Sequence, residues 1–385
     1  MARILFVVPP LTGHVNPTVS VARSLEARGH EVAWVAHPGT VRKLLPAGAQ
    51  IFSLPEVAPA GLVQQITDRA RAVRGAAALK FLWEDFLVPL ARSMLPGIEA
   101  AVSEFAPAVL AVDQQAVAGG LVARKRGLPW ATLATTSAGV TDPLAGLPQV
   151  KRWLTDLLAG LEREVGLAPT AAGELSPHCV IAFTTDAMVG PLDRFPAHYR
   201  FVGPSISDRP ETTAFPFDQL RHPCVLVSMG TVNAEASGRF YATTIAALEG
   251  HAAQILLAAP PELLPAILPE NFIAQRYVPQ LALLRHVDAV VCHGGHNTTC
   301  EALANGLPLV IAPIKDDQPI VADQVVAAGA GLRIKFGRVQ PPELRAAVTR
   351  VLSEPGFHEA AKRVRKSFAA AGGANAAAAA LEALL

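Results

Sequence analysis

The sequence predicts an α/β fold built from two doubly wound domains with parallel sheets, and three observations carry that prediction. Short apolar runs alternate with helical stretches through the first half. The same alternation resumes in the second half after a proline-rich interruption. The chain, at 385 residues, exceeds one ordinary core and suits two domains of about 190 residues each.

Taken in order, Ile4–Val8 is a continuous apolar run, as expected of a parallel strand covered on both faces. Asn16 is placed to cap a helix whose first position is Pro17, with Val19, Ala22 and Leu25 on one face and Gly29 at its end. Glu31–Ala36, Val109–Val112 and Trp130–Leu133 read as further strands, and Ala116–Arg126 as a helix between them. In the second half, strands are expected at Cys224–Ser228, Gln254–Ala258, Ala289–Cys292 and Leu309–Ala312. This β-α-β rhythm argues for doubly wound sheets. Phe201–Asp218, rich in proline and turn formers, reads as an interdomain connection. The alanine-rich tail is a strong helix former. The division predicted is an N-terminal domain over 1–203, a linker over 204–218 and a second domain over 219–371, followed by a terminal helix over 372–385.

Composition narrows the function classes. With 33 basic against 32 acidic residues, nothing suggests a nucleic-acid partner or an anionic membrane surface. No apolar stretch reaches the roughly 18 residues of a spanning helix, and the N-terminal apolar run is too short for a signal-peptide core. The four cysteines, Cys179, Cys224, Cys292 and Cys300, form no C-x-x-C and no regular framework. A soluble protein in the reducing cytoplasm is expected. Neither half opens with G-x-G-x-x-G after its first strand, which argues against a nicotinamide oxidoreductase.

The richest stretch is Gln275–Val321, QRYVPQLALLRHVDAVVCHGGHNTTCEALANGLPLVIAPIKDDQPIV. A strand, a small-residue turn and a helix start together make a site for a diphosphate, because the first N–H groups of a helix are unpaired and its dipole is positive there. Taken locally, Thr298 and Glu301 also fit a capping box, S/T-x-x-E. Asp316-Asp317 makes a weak metal motif, since no histidine or third carboxylate is nearby in sequence. Early in the chain, PPLTGHVNP puts His14 after the first strand, and PAVLAVDQQ puts Asp113 at the end of another. Loops at the carboxyl ends of parallel strands line the ligand crevice. Locally, Asp113 also suits an N-cap for the helix that follows.

The whole stretch resembles the donor signature of the family-one, UDP-glycosyltransferase-like enzymes: W-x-P-Q, then H-C-G-W-N-S, a glutamate three residues on, and a late D/E-Q. The resemblance implies the GT-B architecture, two Rossmann-like domains facing across a cleft, with the terminal helix returning to the N-terminal domain. It implies phosphate contacts from His293, Asn297 and Thr298 beside Gly295 and His296, and a ribose contact from Glu301. Tyr277 stands where many relatives stack a tryptophan on the base, with Val278 beside it and Gln280 near the ribose. Asp317 and Gln318 match the pair that reads the sugar hydroxyls. The asparagine that many relatives carry three residues later is Val321 here. Ser228 and Thr231 match a loop that faces the diphosphate.

The same resemblance, through G-H-x-x-P, makes His14 the general base and Asp113 its partner. An ordinary imidazole titrates near 6.5, and a carboxylate on its other nitrogen fixes its tautomer. Residues 60–100 and 134–175 fall where the family's variable acceptor loops lie. Phe81, Trp83 and Phe86 read as helical core by default and otherwise as walls of an apolar pocket. The expected activity is inverting, metal-independent and cofactor-free transfer of a hexose. The donor is a UDP or dTDP sugar, and the acceptor a small lipophilic molecule such as a polyketide, phenolic or terpenoid. The product is an O-glycoside, or a C-glycoside if the nucleophile is carbon. A monomer or weak homodimer is expected. A peptidoglycan-type GlcNAc transferase expects a glycine-rich G-G-T-G-G-H start, whereas one glycine precedes His14 here. A non-catalytic sugar-nucleotide-binding protein needs no base, and the His14/Asp113 pair argues against it.

Overall fold

A computed structural model describes residues 1–55, 73, 75–142, 144–170, 174–206, 213–230 and 237–385. The chain divides into two compact units. The first comprises Met1–Thr184, Pro191–Ser207 and Ala371–Leu385; the second comprises Thr185–Gly190 and Asp208–Ala370.

The first unit holds β1 (Arg3–Val7), β2 (Glu31–Ala36), β3 (Ile51–Ser53), β4 (Val109–Asp113), β5 (Trp130–Ala134), β6 (Cys179–Ala182) and β7 (Tyr199–Phe201). Their order is β3-β2-β1-β4-β5-β6-β7, and all pairs are parallel. Alternation along β1 sends Leu5 and Val7 to one face and Ile4 and Phe6 to the other. The first face packs on Met94 and Ile98 of the helix Val88–Phe105. The second packs on Val19 and Leu25 of the helix Thr12–Ala27 and on Ala377 and Leu381 of the terminal helix Gly373–Glu382. Both faces are therefore covered, as the uninterrupted apolar run requires. The terminal helix is tied to this unit by Ser24 Oγ donating to Asn375 Oδ1 (2.6 Å) and by Glu382 bonding both Arg28 and His30.

The second unit holds β8 (Cys224–Ser228), β9 (Gln254–Ala258), β10 (Phe272–Gln275), β11 (Ala289–Cys292), β12 (Leu309–Ile311) and β13 (Gly331–Arg333). Their order, β10-β9-β8-β11-β12-β13, is again fully parallel. In both units the strand order reverses beside the first strand, between β1 and β4 and between β8 and β11. Ligands of open parallel sheets bind beyond the carboxyl ends of the strands at this reversal.

Three local readings are corrected. The first helix starts at Thr12, not after Asn16, and Pro17 lies inside it. The Leu11 carbonyl accepts from the amides of His14 (2.9 Å) and Val15 (3.2 Å), so the turn closes on backbone before any asparagine cap is reached. His14 therefore stands in the first turn of a helix. The helix His296–Ala304 has Gly295 at its N-cap, so Thr298 is already inside it and makes no capping box with Glu301. The helix after β4 starts at Val117, capped at Ala116, so Asp113 is not its N-cap. Asp113 instead accepts from the Gln115 amide at 2.8 Å, a local turn. Among the described residues no helix is long and apolar enough to cross a membrane.

Candidate active site

In the first unit, three strand ends converge. His14 follows β1, Asp113 ends β4, and Thr135 comes directly after β5, next to Ala134. His14 Nδ1 lies 2.9 Å from Asp113 Oδ1 and 3.0 Å from Oδ2. Thr135 Oγ1 donates to Asp113 Oδ2 at 2.7 Å and lies 2.8 Å from the same His14 nitrogen. The Asp113 side chain is fully enclosed, whereas the His14 ring keeps 16% of its surface exposed. A buried carboxylate is tolerable only when its lone pairs are filled. Here the imidazole, the Thr135 hydroxyl and the Gln115 amide fill them. Sequence reasoning missed Thr135. The one available signal was its place just past β5, whose Leu133 is in register with Asp113.

In the second unit the corresponding edge is made by turns. β11 ends at Cys292, and His293, Gly294 and Gly295 carry the chain into the helix His296–Ala304. No side chain caps that helix, so its first amides remain directed outward from the end of the helix. The His293 ring sits in a slot between two glycines. A Cβ on Gly230 would lie 2.7 Å from its Cε1, and one on Gly295 only 2.5 Å from its Nε2. Burial pushes the His293 imidazole below its ordinary value, against the opposing pull of Asp317 and the Ser228 backbone. Ser228 is buried at the end of β8, where it pairs in register with Cys292. Thr231 lies outside the described residues.

Glu301 is buried in the second turn of the same helix. Gln280 Nε2 donates to its Oε2 at 2.6 Å and reaches Thr298 Oγ1 at 3.4 Å. The glutamine thus holds the carboxylate. Gln318 opens the helix Gln318–Ala327, and its Oε1 accepts from the amides of Ile314 (2.8 Å) and Lys315 (3.1 Å). Its acceptor end is engaged by its own loop, which leaves Nε2 as the end able to meet a ligand, and then only as a donor. Asp316 enters this loop at φ +57°, a left-handed conformation that aspartate tolerates better than most residues, and Asp317 takes the N-cap position.

The remaining candidates are placed as follows. Tyr277 is exposed (59%) after β10, and Val278 is half-buried beside it. Asn297 and Thr298 are half-buried in the first turn of their helix, and buried His296 lies with Nε2 3.5 Å from Cys300 Sγ. Phe81–Leu87 forms a π-helix in the first unit. Phe81 is buried within it, and Trp83 joins the core that includes Met94 and Ile98, with Phe86 packed against that core. Such turns are frequent at functional sites, but Trp83 and Phe86 pack against the core. Of the acceptor-loop ranges, 56–72, 74, 143 and 171–173 lie outside the described residues. No group of three His, Cys, Asp or Glu that could hold a metal ion occurs among the described residues.

Comparison with known proteins gives a consistent family. A family model, the C-terminal domain of erythromycin biosynthesis protein CIII-like proteins, matches residues 243–384. The chain is 31% identical to 4'-demethylrebeccamycin synthase of Lentzea aerocolonigenes, over 96% of both chains. Among solved structures, the glycotransferase of kitacinnamycin superposes with a TM-score of 0.80 at 26% identity, covering 100% of this chain and 99% of that one. The spinosyn rhamnosyltransferase SpnG complexed with thymidine diphosphate gives 0.75 at 25% identity, over 99% and 100% of the two chains, and SpnG has also been solved with the spinosyn aglycone. A full-length relative at this identity, together with two parallel-sheet units that match solved glycosyltransferases, places the chain in the family-one-like GT-B glycosyltransferases of natural-product biosynthesis.

Proposed function

We propose that the protein transfers a hexose from a nucleoside-diphosphate sugar to a small lipophilic acceptor, with inversion and without a metal ion. The first unit supplies the base and the acceptor site, and the second holds the nucleotide sugar. His14 takes the proton of an acceptor hydroxyl, the oxygen attacks the anomeric carbon from the face opposite the diphosphate, and the carbon–oxygen bond to the diphosphate breaks. The departing electron pair ends on the diphosphate, whose charge is met by the first amides of the helix His296–Ala304 and by His293, Asn297 and Thr298. Glu301 takes the ribose hydroxyls and Tyr277 stacks on the base. Asp317 accepts from the sugar hydroxyls, and Gln318 donates to one.

The observation that carries the reading is the bond of His14 Nδ1 to a fully enclosed Asp113 carboxylate at 2.9 Å. Such a pair holds an imidazole in the tautomer whose Nε2 accepts a proton, and a sugar-nucleotide binder without turnover has no need of one. The SpnG complexes with thymidine diphosphate and with the spinosyn aglycone support a dTDP sugar as donor and a natural-product aglycone as acceptor. Four buried cysteines without disulfides support a reducing, cytoplasmic setting.

The test is to incubate the protein with UDP- and dTDP-hexoses and a panel of aglycones, with EDTA present, and to follow a mass gain of one hexose. His14→Ala should lower kcat by about 10²–10⁴ and leave donor affinity unchanged. Retained turnover with lost nucleotide binding in that variant would remove the base from the reading. An acid-stable product would mark carbon as the nucleophile.

A further inference from the structure

Thr135 lies between the two halves of the histidine–aspartate pair, and its hydroxyl has one proton to give. Two acceptors compete for it, a carboxylate oxygen of Asp113 at 2.7 Å and the ring nitrogen Nδ1 of His14 at 2.8 Å. An ionised carboxylate is the stronger acceptor, so the proton lies toward Asp113 Oδ2. The Thr135 oxygen then presents only lone pairs to His14. Nδ1 accordingly faces three oxygens, at 2.8, 2.9 and 3.0 Å, and each of them can only accept. Three acceptors around one nitrogen require Nδ1 to carry a hydrogen, so the neutral ring has its lone pair on Nε2.

We infer that Thr135 is a positioning residue of the transfer reaction, completing a His14–Asp113–Thr135 triad; this rests on the assignment of His14 as the base. Its hydroxyl is buried (the residue is 3% exposed) and holds carboxylate oxygen Oδ2, while the Gln115 amide holds Oδ1. With both carboxylate oxygens held, the ring cannot turn about its Cβ–Cγ bond without giving up all three acceptors. Thr135 contacts neither reactant in this role and acts through the orientation of the base.

Thr135→Val keeps the shape and removes the hydroxyl, while Thr135→Ser keeps the hydroxyl and loses a methyl group. Valine should lower kcat about tenfold, the size expected for a lost hydrogen bond to a charged group, with the donor KM unchanged. Serine should stay within about twofold of the parent by the same measure. The deciding arm is a double-mutant cycle with His14→Ala. If Thr135 acts through the imidazole, valine has no further effect once the imidazole is gone. A valine variant with unchanged kcat overturns the inference, as does an equal loss in both backgrounds. Should the valine chain fail to fold, serine against alanine makes the same comparison. If His14→Ala alone retains turnover, the base assignment itself fails. If His14→Ala is inactive and valine is silent, only the role of Thr135 fails.

Discussion

The two units solve different problems at the same place in their sheets. The first brings side chains together across three strand ends, and the bonds that matter join residues 99 and 121 positions apart. The second leans more on backbone turns: Gln318 bonds amides three and four residues before it, and His293 lies against a glycine two residues on, although Gly230 also flanks it and Gln280 reaches Glu301 across 21 positions. On the proposed function, the chemistry explains the difference. A base must hold one proton on one nitrogen, which takes several acceptors aimed at a single atom. A diphosphate needs a density of N–H donors, which one helix end supplies largely from backbone. The first station should therefore fail when a functional group is removed, and the second most sharply when an atom is added.

The sharpest test of that contrast is Gly230→Ala. The added Cβ would lie 2.7 Å from the His293 ring, at a residue whose φ is +74°. Alanine is strained in that conformation, and the imidazole must leave its slot. We expect the donor KM to rise by about 100-fold, roughly the 3 kcal/mol of a lost contact to a charged group, with the circular dichroism of the chain unchanged. The same substitution at Gly29, also at positive φ but with nothing within 4 Å of the added atom, controls for backbone strain alone. Equal effects at the two sites would mean that the slot does not matter.

How far the sequence speaks follows the same division. The centre of each sheet is legible because its strands are local apolar runs, and the strands read from Glu31–Ala36 to Ala289–Cys292 fall where the pattern puts them. The strands β3, β6, β7, β10 and β13 escape the pattern, being three or four residues long and, in β7 and β13, not apolar runs. Most of the proposed donor station can be read from the sequence because its parts lie within Gln275–Val321, with Ser228 and Gly230 outside it. Thr135 is not, because nothing near it in the chain hints that its hydroxyl meets Asp113, 22 residues earlier. Helix starts misled for a related reason. Asn16 and Thr298 are good capping residues, but the Leu11 carbonyl and the Gly295 turn begin those helices first. The slot around His293 is likewise invisible, since a glycine's lack of Cβ acquires meaning only from what is packed against it.

A smaller effect separates holding from reading within the second unit. Gln280 donates to Glu301 at 2.6 Å, so its amide orients the carboxylate. Gln280→Met keeps the length and removes the donor. The donor KM should rise about tenfold, as for one hydrogen bond to a charged group, and kcat should stay within twofold or so by the same reasoning. If nucleotide monophosphate binding is unaffected by the change, the glutamine does not position Glu301 for the ribose.

The smallest expected effect is on stability, and it asks whether backbone enclosure keeps an imidazole neutral in the second unit while a carboxylate accompanies the one in the first. Burial holds His293 below its ordinary value, whereas an unfolded histidine binds its proton near pH 6.5. Below that pH the unfolded chain takes up a proton that the native chain refuses, so acid favours unfolding through this residue. The contribution is complete above about pH 6.5 and is lost as the pH falls through the lower native value. His251 is also pushed down, by burial and by Arg345, but it is present in both chains of the comparison and cancels. The urea midpoint of the parent should therefore fall further between pH 7.5 and 5.5, values chosen to bracket roughly the free-histidine titration, than that of His293→Asn. Parallel declines in the two chains would show that the glycine slot leaves the imidazole as open to protons as water does.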